Sequence, residues 1–113
     1  MDHRELAAEL FLSDCNCAQA VLEAFSDVTG LEKSLAAKLA SSFGGGMGRM
    51  REVCGAVSGM LMVAGLLYGY DDPGENDVNK KAHYRLVQNL AGQFREKIGS
   101  IICREILNNP PSD

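Results

Sequence analysis

Apolar residues recur at intervals of three and four along most of the chain, and one stretch breaks that rule. Leu6, Ala7, Leu10 and Phe11 make a two-turn stripe, which predicts a short first helix over 5–12. From about Cys15 to Val28, the polar residues Asn16, Gln19, Glu23, Ser26 and Asp27 fall on one narrow side of a helix, with Ser13 or Asp14 as its cap and Gly30 as its stop. Glu32 to Phe43 predicts a third helix, covered on Leu35, Ala36, Leu39, Ala40 and Phe43. Past the turn at Pro73 and Gly74, another helix runs from Glu75 to Glu96, apolar on Tyr84, Val87, Leu90, Ala91 and Phe94. A last one runs from Ser100, its cap, to Leu107, and Asn108-Asn109-Pro110-Pro111 stops it. No run alternates polar and apolar residues as a half-buried strand does.

The exception is Val53–Tyr70, which carries no charged residue. As a helix it would run about 27 Å, and it reads as a central helix buried nearly all round. Its glycines need a reason, since each costs a helix about 1 kcal/mol relative to alanine. Gly55 and Gly59 are four apart, as are Gly65 and Gly69, and such residues share a helix face. They form a flat stripe against which a second helix backbone can pack closely. The stretch is long enough to be weighed as a membrane span. Against that stand a mean hydropathy of −0.07, the absence of tryptophan and the amphipathic helices on either side, which look built to cover it. The expectation is therefore an all-α single domain, 1–113, a small bundle of five or six helices around a buried, glycine-rich central helix, with no membrane span.

Composition narrows the partners. A chain of 113 residues with 11 basic and 15 acidic side chains has a net charge of −4, which excludes general nucleic-acid binding because that needs a basic face. The start, Met1-Asp2-His3-Arg4-Glu5, is polar and shows no signal peptide, so the expected localisation is cytoplasmic. There, four cysteines are expected as reduced thiols, metal ligands or redox-active groups rather than structural staples, beside the plainer role of buried hydrophobes. The chain contains no Cys-x-x-Cys, His-Glu-x-x-His or hydrolase elbow. His83 reads as a partly buried polar residue beside Val87, and His3 as a weaker candidate still. A homo-oligomer is compatible with the sequence, and the redox partner and substrate are not specified by it.

Three cysteines recur in one setting. Cys17, Cys54 and Cys103 each lie near the start of a predicted helix, where the helix dipole favours a thiolate while burial opposes it. Cys17 points inward and Cys15 lies near the edge of the polar stripe. Cys15-Asn16-Cys17 has the look of a ligand pair, but residues two apart on a helix face different ways. The loop Gly44-Gly45-Gly46-Met47-Gly48 could cradle an anion with Arg49 and Arg51. It lacks the Lys-Ser/Thr ending of a nucleotide loop and follows a helix, which favours a tight corner between helices.

Asn16-Cys17-Ala18-Gln19-Ala20-Val21, Phe43-Gly44-Gly45-Gly46-Met47-Gly48, Cys54-Gly55-Ala56-Val57-Ser58-Gly59 and Cys103-Arg104-Glu105, in that order, resemble the C_GCAxxG_C_C family. This is a family of largely uncharacterised bacterial and archaeal proteins to which redox activity is ascribed from their cysteines. The resemblance covers about Cys17 to Leu107 and implies thiol chemistry at Cys17, Cys54 and Cys103. The family pattern has a further cysteine downstream of Cys-Arg-Glu, which this sequence lacks. The leading expectation is a redox-active thiol protein, a thiol-dependent oxidoreductase if it is an enzyme. In it Cys54 reacts, favoured by its helix start and by Arg49 and Arg51, and Cys17 or Cys103 resolves it by disulfide formation. The alternatives are a metal ion or iron–sulfur cluster held by Cys17, Cys54 and Cys103 with Cys15 or an external ligand, and a structural or interaction domain with inert core cysteines.

Overall fold

The structure is a computed structural model and describes residues 1–108. Helix α1 (His3–Leu12) starts at Asp2, whose carboxylate accepts the Glu5 amide at 2.7 Å. Helix α2 (Cys17–Ala24) starts at Asn16 rather than at Ser13 or Asp14. The Asn16 Oδ1 accepts the Gln19 amide at 2.9 Å while the Gln19 Oε1 accepts the Asn16 amide at 3.0 Å, a reciprocal cap that satisfies two amides the helix itself leaves open. The helix expected over 15–28 is broken at Phe25 and resumes as the single turn α3 (Ser26–Thr29), which ends on Gly30 at φ 74°. Helix α4 (Lys33–Ala40) is capped by the Glu32 carboxylate, and a tight turn over Ser41–Phe43 leads to one further turn, α5 (Gly44–Met47). Helix α6 (Gly55–Tyr68), helix α7 (Val78–Ile98) and the short α8 (Cys103–Leu107) complete the described chain. The fold is all-α. Its one pairing of extended backbone among the described residues is an antiparallel bridge between Val53 and Ile102.

The hub of the bundle is α2, not the stretch over 53–70. Helix α2 takes part in the three most extensive helix–helix contacts, with α6, α1 and α4. Its side chains explain this. Ala18, Ala20 and Ala24 are small enough for neighbours to approach on several sides, and Leu22 fills the space between them. Ala18 and Leu22 form one cluster with Ala36 and Ala40 of α4 and Val63 of α6, with Phe25, Leu31, Phe43 and Met62 packed around it. On α4 the alanines face in, while Leu35 and Leu39, expected on the covered face, are exposed.

Helix α6 is buried along its first part and open along its last. Gly55, Val57, Gly59, Val63 and Ala64 are buried, whereas Gly65 to Gly69 are exposed. The helix is therefore not covered all round. The two glycine pairs differ accordingly. A Cβ on Gly59 would stand 2.9 Å from the Ala18 carbonyl oxygen, so α2 does approach the first pair closely; a Cβ on Gly65 would meet nothing within 4 Å. Helix α7 packs along α6 with no buried residue of its own. His83 is half-buried there, its ring edge-on to Tyr70 with centroids 6.0 Å apart. His3 stacks on Phe25 and bonds to Asp27 at 2.8 Å. Among the described residues, no helix is long and apolar enough to cross a membrane.

Candidate functional site

A cavity of about 660 Å³ opens where the starts of α2, α6 and α8 meet the glycine loop, and Cys17, Cys54 and Cys103 all line it. Cys17 is the first residue of α2, directly behind its Asn16 cap. The Asn16 Nδ2 also donates to the Ser41 carbonyl at 3.2 Å, which ties this helix start to the end of α4. Cys54 is the residue immediately ahead of α6. Cys103 opens α8.

Cys54 and Cys103 are far apart in sequence and are joined by backbone. The Cys54 amide donates to the Ile101 carbonyl at 2.8 Å, the Cys103 amide to the Glu52 carbonyl at 2.6 Å and the Arg104 amide to the Arg51 carbonyl at 3.1 Å. The side chains repeat the link, with Arg104 Nη2 2.8 Å from Glu52 Oε1. Two short extended segments thus clamp each other and fix both cysteines.

The glycine loop makes the space. Gly45, Gly46, Met47, Gly48 and Arg49 lie in succession at φ between 59° and 71°, a left-handed turn that reverses the chain between α4 and α6. For Met47 and Arg49, each carrying a Cβ, that conformation costs roughly 1–2 kcal/mol per residue, and glycine at the other three positions keeps the total down. Gly46 is needed twice over, for its φ of 71° and because a Cβ there would sit 2.7 Å from the Cys103 Cβ and 2.8 Å from the Glu52 amide nitrogen. Gly55 lets α6 enter: a Cβ on it would stand 2.9 Å from the Phe43 carbonyl oxygen and 3.1 Å from the Cys17 Cβ. The loop is the tight corner expected from its sequence, and it is also one wall of the cysteine cavity.

The thiols differ in surroundings. Cys103 is buried, and Arg51 Nη1 lies 3.9 Å from its Sγ as a donor. Of the two arginines expected to support Cys54, Arg51 thus reaches Cys103. Cys54 and Cys17 are half-buried. The Cys17 pKa is raised, first by burial and then by the charges of the neighbouring Cys54 and Cys103 sulfurs. Cys15 lies outside the cavity lining. Its Sγ donates to Glu23 Oε2 at 3.4 Å, and its pKa is raised by burial, by that hydrogen bond and by the charges of Glu23 and Asp14.

This arrangement does not favour the metal alternative. Among the described residues, no group of three or more His, Cys, Asp or Glu side chains is placed to hold a metal ion. The three cysteines share a cavity without converging on one centre, and Cys15, the expected fourth ligand, is turned to Glu23.

Sequence reasoning missed Asn16 as part of the site, along with the apolar wall of Phe11, Ile106 and Leu107. The Asn16–Gln19 spacing carried a capping signal that could have found the first. Nothing local could have found the others, because they come to the cavity from opposite ends of the chain.

Fold and site together define a small all-α domain with cysteines gathered at helix starts around one cavity. The model of the family described as "Putative redox-active protein (C_GCAxxG_C_C)" matches residues 15–113, and the chain belongs to that family. No curated protein and no solved structure matches it.

Proposed function

We propose that this protein carries out thiol–disulfide chemistry with Cys54 as the attacking thiol and Cys17 as the resolving one. The observation that carries the reading is that three cysteines from three separate segments line one open cavity. Cys54 is half-buried where Cys103 is buried, and it stands at the start of a helix of 14 residues, whose dipole favours a thiolate. Cys17 is its neighbour across Gly55, and its own pKa is raised by burial and by the adjacent cysteine sulfurs. In the forward direction the Cys54 thiolate attacks one sulfur of a disulfide R–S–S–R. The substrate bond breaks, one R–S⁻ leaves, and Cys54 is held in a mixed disulfide. Cys17 then loses its proton to solvent and attacks the Cys54 sulfur, expelling the second R–S⁻. The substrate gains two electrons and becomes two thiols, while Cys17 and Cys54 become a disulfide that an external dithiol must reduce. Cys103, held by Arg51, borders the reacting pair. A cytoplasmic setting suits this cycle, since dithiol reductants are at hand there.

The test is the rate of alkylation against pH on the folded, reduced protein, for wild type and Cys54→Ser. The expected result is one fast thiol that is lost in Cys54→Ser. If all four cysteines react only after denaturation, the thiols are core residues and the reading is wrong.

A further inference from the structure

Helix α7 leaves its apolar side half open. None of its 21 residues is buried, although Val87, Leu90 and Phe94 make a stripe along it, and its main partner, α6, is itself open to water over 65–69. Tyr84, Ala91, Arg95 and Ile98, spaced by seven, four and three, share the side of α7 that borders this stripe, and Tyr84, Arg95 and Ile98 are exposed there. The charges say what covers it. The turn ahead of α7 carries Asp71, Asp72, Glu75 and Asp77 and no base, whereas α7 carries Lys80, Lys81, Arg85, Arg95 and Lys97 against the single acid Glu96. Asp77 has Lys80 at 3.8 Å, and among the described residues Asp71, Glu75, Arg95 and Lys97 have no ion-pair partner. We infer that α7 pairs with α7 of a second copy of this chain, running in the opposite direction about a two-fold axis near Leu86. In that register Asp77 stands level with the second copy's Arg95, and Glu75 with its Lys97, and the symmetry makes each pairing twice. Lys80 stands level with the second copy's Gly92, where an added Cβ meets nothing within 4 Å, so like charges are kept apart. A parallel pair would set acid on acid and base on base, whereas opposed helix dipoles add to the attraction. An unrelated partner would need the reversed order of charges, which a second copy has by symmetry. A helix of 21 residues is about 31 Å long and about 10 Å wide, and with the open end of α6 beside it the face offers roughly 500 Å² on each copy. About 1,000 Å² for the pair is the lower limit of a specific interface, so the dimer is a reversible one and the dilute chain is single. On α6 only Gly55, and on α7 nothing, lines the cysteine cavity. The pairing therefore leaves the thiols open and does not depend on the thiol reading above.

The experiment is sedimentation equilibrium of the full-length chain, kept reduced so that no disulfide links two copies, from about 1 to 100 μM. The expected result is a single chain at the low end that becomes a dimer toward the high end. Tyr84→Glu sets a charge on the shared side and should abolish the dimer, with the helical circular dichroism unchanged because Tyr84 is exposed. Arg95→Glu and Asp77→Lys, each alone, should raise the dissociation constant by about tenfold, since each turns two symmetric attractions into repulsions. Both together in one chain restore opposite charges, and the dissociation constant should return to within about threefold of wild type. High salt should weaken the wild-type dimer. These charge variants lie at exposed positions and keep the test open where Tyr84→Glu fails to fold. A single chain at every concentration overturns the inference, whatever other protein then binds the face. So does a dimer indifferent to Tyr84→Glu, which lies elsewhere. A dimer that the charge exchange does not restore overturns the opposed register and with it the proposal.

Discussion

The two ends of α6 meet different neighbours in different ways. Its first half packs on α2 through Gly55 and Gly59, close enough that a single added Cβ would reach the backbone of Ala18 or Phe43. Its second half, with Leu66, Leu67 and Tyr68, runs beside α7, and no α7 residue is buried by the contact. The apolar residues of the second half are larger, yet less of the helix is covered there. Close approach, not hydrophobicity, decides where this helix is buried, because small residues let backbones meet and large ones on a lone helix pair keep a side open to water. The cysteines belong to the close side. Cys17 and Cys54 sit at the helix starts that Gly55 brings together, and Cys103 is held against Gly46.

Truncation of leucines on the two sides should give the largest contrast. Leu22 has no exposed surface and Leu66 is 47% exposed. Leu22→Ala is expected to cost about 2–5 kcal/mol, and Leu66→Ala no more than about 0.5 kcal/mol. Chemical denaturation measures both, and equal losses would erase the distinction between the two ends.

The glycines sharpen it with opposite signs. Gly59→Ala should cost roughly 1–3 kcal/mol, because its Cβ meets a backbone carbonyl that cannot move aside. Gly65→Ala should stabilise by about 1 kcal/mol or a little less, since its Cβ enters open space in a helix interior. Melting temperatures moving in the same direction for both would contradict the packing described above.

These contrasts also mark how far the sequence could be read. The all-α architecture was legible because its period of three and four is local, and the close packing at Gly59 was legible from the spacing to Gly55. The equal treatment of Gly65 and Gly69 failed because a glycine pair states what could approach, not whether anything does. The role of α2 was hidden for the converse reason: Ala18, Ala20 and Ala24 are weak hydrophobic signals, and only their neighbours show that they are buried. The helix-start setting of Cys17, Cys54 and Cys103 could be read from periodicity, although the caps expected at Ser13 or Asp14 and at Ser100 fall instead at Asn16 and Ile102. The contact of Arg51 with Cys103 could not, because it depends on the bridge between Val53 and Ile102.

A smaller effect follows from the raised pKa of Cys17 and Cys15. Each folded thiol holds its proton above the pH at which the unfolded thiol releases it, near 8.5. The folded state therefore binds more protons than the unfolded one in that range. Stability is full below the ordinary thiol value and is lost as the pH rises through the raised folded values. The close side of the molecule should carry part of this loss. Denaturation followed from neutral to alkaline pH should show a decline that is reduced in Cys17→Ala relative to wild type, each compared with its own neutral value.

Mapping the disulfide formed when the native, reduced protein receives one equivalent of a mild oxidant tests the central claim most directly. Peptide mass spectrometry identifies the bond. The account predicts a bond between Cys17 and Cys54, with Cys15 left as a free thiol beside Glu23. A bond involving Cys15, or four free thiols until the protein is unfolded, would contradict it.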